Sequence, residues 1–422
     1  MENKRNLVEE AATFQTYIRD HVAEKYPEML WRFDATAKYY QRVAKAKETG
    51  EQLAWINFAM MPELFWAMDM IPISLEAICA LTAQSPERAT RYIDLAEVHV
   101  PDYLCSANKV AVGAFLDGAI AVPEIFVHPS VPCDSALITN PVLAQVFETM
   151  SYFCIDVPYF RDERAYQYIA GELRRLISFL EEKTGRKLDL DKLRQTVQNA
   201  SLAHDWILKA WQLTEAVPCP VRSTDMLQDS GPLITLGGTP ELIDYARTRY
   251  ETTKYGADKK ESGIGEERMR LLWTYGVPVF DYSLYRWLER EYRAISIPGL
   301  NIFDVNTLAD IDDNSDYDKI LRGLAEKVTF MPMSRECGGP WEYFVNRTVD
   351  LCKRYKADAA IFGGHIACKH SWAIAQMVKD RLYDELGIPT LNLELDVFDP
   401  RLADLDTLKA KFDDFLTVVL QK

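Results

Sequence analysis

The sequence predicts an α/β protein with two parallel-sheet domains and with helical regions at its N-terminus and centre. Short apolar runs of strand length lie in both halves of the chain, and polar loops connect them to segments with helical spacing of apolar residues. The clearest run is Ala357 to Phe362, which is typical of a buried parallel strand; a helix from Ser371 to Leu386 and a Gly-Ile-Pro stop follow it. The length of 422 residues also indicates more than one domain.

Four regions follow from this pattern in chain order. They are an N-terminal helical region (1–52), a first α/β domain (53–160), a helical connecting region (161–262) and a second α/β domain (263–422). We expect Gly263 to Arg268 to lead into a helix. The predicted strands are 53–61, 71–76, 123–129 and 152–158 in the first domain, and 278–280, 357–362 and 390–395 in the second.

The charge balance excludes some classes of partner. Lys and Arg number 48 against 63 Asp and Glu, for a formal net charge of −15, which argues against a nucleic-acid-binding or anionic-membrane-binding surface. Met1 to Glu10 is charged rather than apolar, and no apolar run approaches the length of a transmembrane helix. We therefore expect a cytoplasmic protein that binds neither nucleic acid nor membrane.

Eight cysteines are spread along the chain without a compact framework. There is no Cys-x-x-Cys pair, which argues against a structural zinc finger and against a ferredoxin-type cluster motif. Any metal site must therefore be assembled from distant loops. There is no Walker motif, and Gly263 and Gly265 follow no predicted strand, so the chain is not expected to hydrolyse ATP itself. The cysteines are Cys79, Cys105, Cys133, Cys154, Cys219, Cys337, Cys352 and Cys368.

Cys368 lies at the carboxyl end of a predicted strand, which is where ligands bind in open α/β sheets. A thiol next to Lys369 and close to a helix start should ionise readily, and the thiolate is the form that attacks substrates or binds metals. Taken alone, Cys368 fits equally well as one more small, buried apolar residue.

Two further cysteines occupy comparable positions. Cys133 follows the predicted strand 123–129, and Cys105 precedes a predicted helix from Asn108 to Leu116, whose dipole should favour a thiolate. Three thiolates from both halves of the chain would suit an iron–sulfur cluster with one iron lacking a protein ligand. Spacing alone supports that idea only weakly.

Glu76 lies just past the apolar segment 71–75, where a crevice could open, although an ordinary solvated glutamate at a helix start fits as well.

Several short stretches follow one another along the chain in an order that resembles a known family. They are Leu104-Cys105-Ser106-Ala107, Cys133 after a strand, Glu266-Glu267-Arg268, Cys368-Lys369, Gly387-Ile388-Pro389, and Asp396-Val397-Phe398-Asp399-Pro400-Arg401. In this order the chain resembles the 2-hydroxyacyl-CoA dehydratase and benzoyl-CoA reductase family from about Leu53 to its end. The larger, alpha-type subunit of the 2-hydroxyglutaryl-CoA dehydratase D-component is the better match within that family, because of the long N-terminal helical section.

The resemblance implies two flavodoxin-like domains with a [4Fe-4S] cluster between them. It implies that Cys105, Cys133 and Cys368 hold that cluster, and that Glu76 matches an acidic residue thought to assist proton movement at the substrate. Asn57 stands near a position where some dehydratases have serine or threonine, so a substrate contact there does not carry over. The implied partners are a homologous, beta-type subunit and an iron–sulfur activator protein that hydrolyses ATP.

The activity implied by the resemblance is that of a lyase in anaerobic metabolism, which removes water from a 2-hydroxyacyl-CoA to give the enoyl-CoA. In that family the activator injects one electron, which passes through the cluster to the thioester carbonyl, and the resulting ketyl radical expels the hydroxyl group. We expect His365, Lys369 and His370 to lie around the cluster or at the surface rather than to act in catalysis.

Three alternatives remain open from the sequence. One is a benzoyl-CoA (aromatic acyl-CoA) reductase subunit of the same family. Another is an iron–sulfur electron-transfer or assembly protein without its own substrate, in which Glu76 and Asn57 are structural. The third is a relative with a larger, fused cluster, which would need about six thiolates.

Overall fold

The computed structural model describes residues 6–420, and the strands of this part of the chain form two four-stranded parallel sheets. The first sheet has the order β2-β1-β3-β4 and the second has the order β6-β5-β7-β8. The strands are β1 (Gln52–Ile56), β2 (Met70–Ser74), β3 (Ile125–Pro129), β4 (Ser151–Ile155), β5 (Met269–Trp273), β6 (Ala294–Pro298), β7 (Ala359–His365) and β8 (Thr390–Leu395).

Helices surround both sheets, and none between residues 6 and 420 is long and apolar enough to cross a lipid bilayer. Short 3-10 helices lie at Pro27–Met29 and Gly299–Asn301. The α-helices are α1 (Leu7–Lys25), α2 (Trp31–Thr49), α3 (Glu63–Ala67), α4 (Leu75–Ala83), α5 (Pro86–Ala96), α6 (Ser106–Leu116), α7 (Asp134–Val146), α8 (Glu163–Thr184), α9 (Leu190–Thr214), α10 (Ser223–Leu227), α11 (Ser230–Thr235), α12 (Pro240–Lys259), α13 (Ser283–Glu291), α14 (Tyr317–Phe330), α15 (Ser334–Cys337), α16 (Trp341–Tyr355), α17 (Lys369–Trp372), α18 (Ala375–Leu386) and α19 (Leu405–Leu420).

Both sheets follow the same strand order, with the first strand of each domain beside the second on one side and the third on the other. This is the order of flavodoxin-like folds, in which ligands bind beyond the carboxyl ends of the two central strands, where the chain changes direction across the sheet. The predicted fold class, two parallel-sheet domains with N-terminal and central helical regions, is therefore confirmed. The loops after β1, β3, β5 and β7 are the ones that can meet at such a point.

One hydrophobic cluster runs through both sheets. It contains Trp55 and Phe126 from the first sheet together with Leu272 and Phe362 from the second. A second cluster packs α8, α9 and α14 against the other face of the first sheet, so α14, from the second half of the chain, contributes to the core of the first domain. The domain boundaries themselves stay predictions.

The sequence located the strands of the first sheet closely and those of the second less well. Each strand of the first sheet overlaps its expected range and begins within two residues of the expected start, although β1 ends at Ile56 and not at residue 61. Strand β8 has the expected bounds, whereas β7 runs from Ala359 to His365 and not from 357 to 362. Strands β5 and β6 were missed. The helix expected after Gly263–Arg268 is wrong, because this segment leads into β5, and the strand expected at 278–280 is wrong, because its last two residues form a turn.

A buried arginine explains why β5 was missed. Arg270 interrupts the apolar run of this strand, yet it is buried there. Its guanidinium binds the carboxylate of Glu267 at 2.6 Å and the backbone oxygen of Tyr355 at 3.1 Å. Arg270 thus broke the apolar pattern from which this central strand would have been predicted. Its hydrogen-bond partners come together only when the chain folds.

A close backbone contact positions the loop after β5. The amide of Gly276 donates to the carbonyl oxygen of Gly363 in β7 at 2.9 Å, and a Cβ built on Gly363 would lie 1.8 Å from the carbonyl oxygen of Gly276. Only glycine allows the two backbones to approach this closely. The contact holds Tyr275 beside the carboxyl end of β7.

We predict that Gly363→Ala destabilises the protein by more than ~3 kcal/mol, because the added methyl group has no space and the backbones must separate. The matched control is Gly171→Ala within α8, where nothing lies within 4 Å of the position that the added methyl group would take, and this change should stabilise the helix by up to ~1 kcal/mol. Thermal unfolding measures both effects. A Gly363→Ala protein that melts at the same temperature as the unmutated chain would contradict the contact.

Candidate functional site

Three cysteines immediately precede helices at the ends of the two sheets. Cys105 is the N-cap residue of α6, Cys133 is that of α7, and Cys368 precedes the single turn α17. Cys133 follows β3 and Cys368 follows β7, so these two occupy equivalent positions in the two sheets. The amide of Cys105 donates to Ser135 Oγ at 3.0 Å, which ties the start of α6 to the start of α7.

The structure brings these three thiols together where the two domains meet. Burial is the main cause of the raised pKa of Cys105, and negative charge on Cys133 or Cys368 raises it further; a charge on Cys368 likewise adds to the effect of burial on the pKa of Cys133. Direct contacts agree, because Cys105 contacts Ser135, two residues after Cys133, and His365, three residues before Cys368. Polar contacts join the domains here. Ser106 donates to the carboxylate of Asp396 after β8, and the ring of His365 at the end of β7 contacts the sulfur of Cys105.

Hydrogen-bond donors face the sulfurs of Cys105 and Cys133. The amide of Val397 donates to Nδ1 of His365 at 3.3 Å, so the neutral ring carries its proton on Nε2 and donates it to Cys105 Sγ at 3.2 Å. Asn108 Nδ2 lies 3.5 Å from Cys133 Sγ. Such donors stabilise a thiolate and orient it for metal binding.

Cys368 has the richest set of donors. The hydroxyl of Tyr275 lies 3.4 Å from Cys368 Sγ and 3.1 Å from Cys337 Sγ. Sequence reasoning missed both partners. The apolar run before Tyr275, closed by Gly276 and a proline, was the available signal for Tyr275, whereas nothing local distinguishes Cys337 from a buried cysteine in a turn.

The three thiols ionise differently. Burial raises the pKa of Cys105 well above its usual value and that of Cys133 to about 11. The expectation that the helix dipole makes Cys105 a thiolate is therefore wrong for the free side chain, because desolvation outweighs the dipole. Hydrogen bonds from Cys337 and Tyr275 lower the pKa of Cys368 to about 5 despite its burial. The readily ionised thiol expected at Cys368 is present, for a reason other than a helix start.

The donor set fits an iron–sulfur cluster better than a single metal ion. Among the residues that the structure describes, no three His, Cys, Asp or Glu side chains are close enough to share one ion. A [4Fe-4S] cluster places each thiolate on a different iron and thus requires more widely spaced sulfurs. Three cysteines from separate loops, each with a polar donor near its sulfur, supply thiolate ligands of the kind that such clusters use.

Glu76 lies at the same edge of the first sheet as Cys133. It is in the first turn of α4, whose cap is Ser74, and its carboxylate accepts hydrogen bonds from the Asn57 side chain, from the Phe58 amide at 2.9 Å and from Ser74 Oγ at 3.4 Å. Burial raises the pKa of Glu76 to about 7, although these donors favour the ionised form. Strand β1 alone separates β2 from β3, so the two strands that precede Glu76 and Cys133 are roughly 10 Å apart.

The other residues near Cys368 lie at the surface. Lys369 is exposed, with Nζ 3.4 Å from the carboxylate of Asp134 and 5.0 Å from the centre of the Tyr103 ring, and His370 is exposed too. Both side chains therefore lie at the surface, and Lys369 bridges the loops that follow Cys368 and Cys133. Of the remaining cysteines, Cys79, Cys219, Cys337 and Cys352 are buried, and Cys154 on β4 is half-buried.

Two cavities lie away from the cysteine junction. One, of about 10 Å³, has room for a single water and is lined by His204, Asp304, Lys327 and Arg335 among others. The other, of about 660 Å³, is an open groove between α18, β8 and α19. Neither contains Glu76 or a cysteine.

We predict that Asn57→Ala raises the pKa of Glu76 above about 7, because a donor to the ionised carboxylate is lost. Infrared spectra recorded across the pH range can follow the band of the protonated carboxyl group, and Glu76→Gln identifies that band by removing it. A midpoint that stays or falls in Asn57→Ala would contradict the contact.

The pKa of Glu76 in the folded state lies above the usual 4.5, so this residue lowers the free energy of unfolding as pH rises from about 4.5 to about 7. Glu76→Gln should therefore make the free energy of unfolding depend less on pH in that range.

Comparisons with known proteins identify the family of this chain. The family model for the 2-hydroxyglutaryl-CoA dehydratase D-component matches residues 58–418. Residues of the candidate site, including Glu76 and the three cysteines, fall within that match.

Three relatives of this chain are named as enzyme subunits. The alpha subunit of (R)-2-hydroxyglutaryl-CoA dehydratase from Acidaminococcus fermentans is 24% identical over 255 residues, which are 58% of this chain and 50% of that protein. The (R)-phenyllactyl-CoA dehydratase alpha subunit from Clostridium sporogenes is 22% identical, with 85% of this chain and 87% of that protein covered. The B subunit of benzoyl-CoA reductase from Thauera aromatica is 20% identical, with 94% and 96% covered.

Proposed function

The chain belongs to the 2-hydroxyglutaryl-CoA dehydratase D-component family, and on that premise we propose that it is the [4Fe-4S] subunit of a 2-hydroxyacyl-CoA dehydratase. The observation that carries the proposal is the meeting of Cys105, Cys133 and Cys368 between the two sheets, with Glu76 at the same edge. The proposed ligands are these three thiolates, which leave one iron of a four-iron cluster without a protein ligand. The proposed location is the cytoplasm.

The reaction requires such a group because the hydrogen removed from the β-carbon of a 2-hydroxyacyl-CoA is not acidic. When bound, the cluster would supply one strongly reducing electron to the thioester carbonyl and an open iron that acts as a Lewis acid. The ketyl radical formed on the substrate expels hydroxide from the neighbouring carbon, and the β-proton then becomes acidic. Loss of that proton and return of the electron give the enoyl-CoA, so the balance is the loss of one water.

Glu76 is the residue that we propose to move the proton. A pKa of about 7 leaves comparable amounts of acid and base at neutral pH, which suits a group that accepts a proton and then releases it. Asn57 and the amide of Phe58 hold its two carboxylate oxygens in place, so its orientation does not depend on solvent. His365 orients Cys105 from the opposite domain.

The names of the three relatives, each a subunit, suggest that this chain also has a partner subunit. We propose a homologous, beta-type partner and a separate iron–sulfur activator that hydrolyses ATP.

The benzoyl-CoA reductase subunit remains the second candidate, since that relative matches the chain over nearly its whole length. Loss of water from a 2-hydroxyacyl-CoA, as opposed to reduction of an aromatic acyl-CoA, distinguishes the two.

We predict about four irons and four sulfides per chain after anaerobic purification, and their loss in Cys105→Ala, Cys133→Ala and Cys368→Ala. Cys79→Ala is the matched control, because Cys79 is buried in α4 and should leave the iron in place. Iron and acid-labile sulfide analysis measures the outcome. Iron-free protein, or iron unaffected by the three substitutions, would refute the proposed site.

We also predict that Glu76→Gln lowers the turnover of 2-hydroxyacyl-CoA by about 10²- to 10⁴-fold while the iron content is retained, because a proton-transfer group is lost but no ligand is. The assay follows enoyl-CoA formation by the complete complex with its activator and ATP. If turnover stays within about twofold of that of the unmutated enzyme, Glu76 is a structural residue and not a proton-transfer group. Loss of a proton-transfer group reduces turnover far more than that.

A further inference from the structure

We infer that Tyr275 and Cys337 are positioning residues for the sulfur of Cys368, with Tyr275 as the direct hydrogen-bond donor and Cys337 as the partner of Tyr275, and that they thereby raise the reduction potential of the cluster bound there. The inference rests on the proposed function, because it takes Cys368 as a ligand. It adds two residues outside the three-cysteine set and assigns them a measurable effect.

Three side chains form one compact polar group inside the second domain. The Tyr275 hydroxyl lies 3.1 Å from Cys337 Sγ and 3.4 Å from Cys368 Sγ. Tyr275 and Cys337 are buried, whereas Cys368 is half-buried. Tyr275 therefore reaches Cys368 from the side of the protein interior.

The hydroxyl of Tyr275 lies between the two sulfurs. Its oxygen is closer to Cys337 Sγ than to Cys368 Sγ, so the hydroxyl can accept a hydrogen bond from the Cys337 thiol and donate its own proton to the sulfur of Cys368. Cys337 therefore acts on the sulfur of Cys368 through Tyr275.

The segment that carries Cys337 is held firmly. The Nη2 atom of Arg161 donates to the carbonyl oxygens of Ser334 and Arg335, each at 2.7 Å, and the guanidinium of Arg335 binds the carboxylate of Glu336 at 2.6 Å. Met333, just before this segment, has a φ of 63°, in the left-handed region that a non-glycine residue rarely adopts. Strained backbone held by buried charges is typical of functional sites.

Backbone and ring contacts fix the position of Tyr275 as well. It follows the central strand β5, and the contact between Gly276 and Gly363 fixes its distance from β7 and thus from Cys368. Its ring stacks against Phe362 and packs on Phe344. The hydroxyl group is therefore aimed at the two sulfurs by the fold itself.

Such donors have a definite effect on an iron–sulfur centre. The reduced state places more negative charge on the sulfurs than the oxidised state does, so a hydrogen bond to a ligand sulfur stabilises the reduced state and raises the potential. Removal of Cys337 or of the Tyr275 hydroxyl should therefore make the cluster harder to reduce.

The test is a redox titration of the complete, anaerobically purified complex, followed by electron paramagnetic resonance, for Cys337→Ala, Cys337→Ser and Tyr275→Phe. For Cys337→Ala and Tyr275→Phe we expect unchanged iron content and about a tenfold fall in the reduced-to-oxidised ratio at fixed potential, which is about 59 mV for one electron. Cys337→Ser keeps a donor and should recover part of the shift. Matched controls are Cys352→Ala and Tyr285→Phe, two buried residues away from the cysteine junction, which should leave the potential unchanged.

The outcomes separate this inference from the proposed function. Unchanged potentials in both Cys337→Ala and Tyr275→Phe, with iron retained, would overturn the inference and leave the three-cysteine site standing. Loss of iron in Cys337→Ala would make Cys337 a ligand and would also overturn it. An unmutated complex without iron would refute the proposed function first, and this inference with it.

Discussion

The contact between the two domains at the cysteine junction is the constraint on which the site depends. Two of the thiols come from the first domain and the third from the second, so the site exists only while the two sheets keep their relative position. The hydrogen bonds from Ser106 to Asp396 and from His365 to Cys105 cross that boundary at the site itself. Behind them, one hydrophobic cluster includes residues of both sheets, so the polar contacts are backed by a shared core.

The two domains use equivalent positions for related purposes. Cys133 and Cys368 follow the corresponding strands β3 and β7, while Asn57 and Tyr275 follow the central strands β1 and β5. In the first domain the residue after the central strand holds the carboxylate of Glu76, and in the second it holds a sulfur. A shared topology thus places the proposed proton-transfer group at the carboxyl edge of one sheet and the proposed electron-transfer ligand at the carboxyl edge of the other.

The local environments give the three thiols different charges before any metal binds. Burial keeps Cys105 and Cys133 protonated, whereas donors from Cys337 and Tyr275 ionise Cys368. A metal group that binds thiolates must therefore displace protons from two of the three cysteines, so its binding weakens as pH falls. This behaviour follows from desolvation in a protein whose net charge of −15 already disfavours further negative charge.

The sequence by itself determined the fold class, the strand β8 and the placement of three cysteines and Glu76 beside strands or helices, because these depend on local runs of apolar residues and on the loops that end them. It misled at β5, where Arg270 breaks the apolar pattern and finds its partners only in the folded chain. The tertiary structure alone decided that the loops of the three thiols meet, that burial gives Glu76 a pKa of about 7, and that Tyr275 contacts both Cys337 and Cys368. Desolvation and hydrogen bonding between residues distant in sequence act only after packing has brought them together, so no local pattern records them.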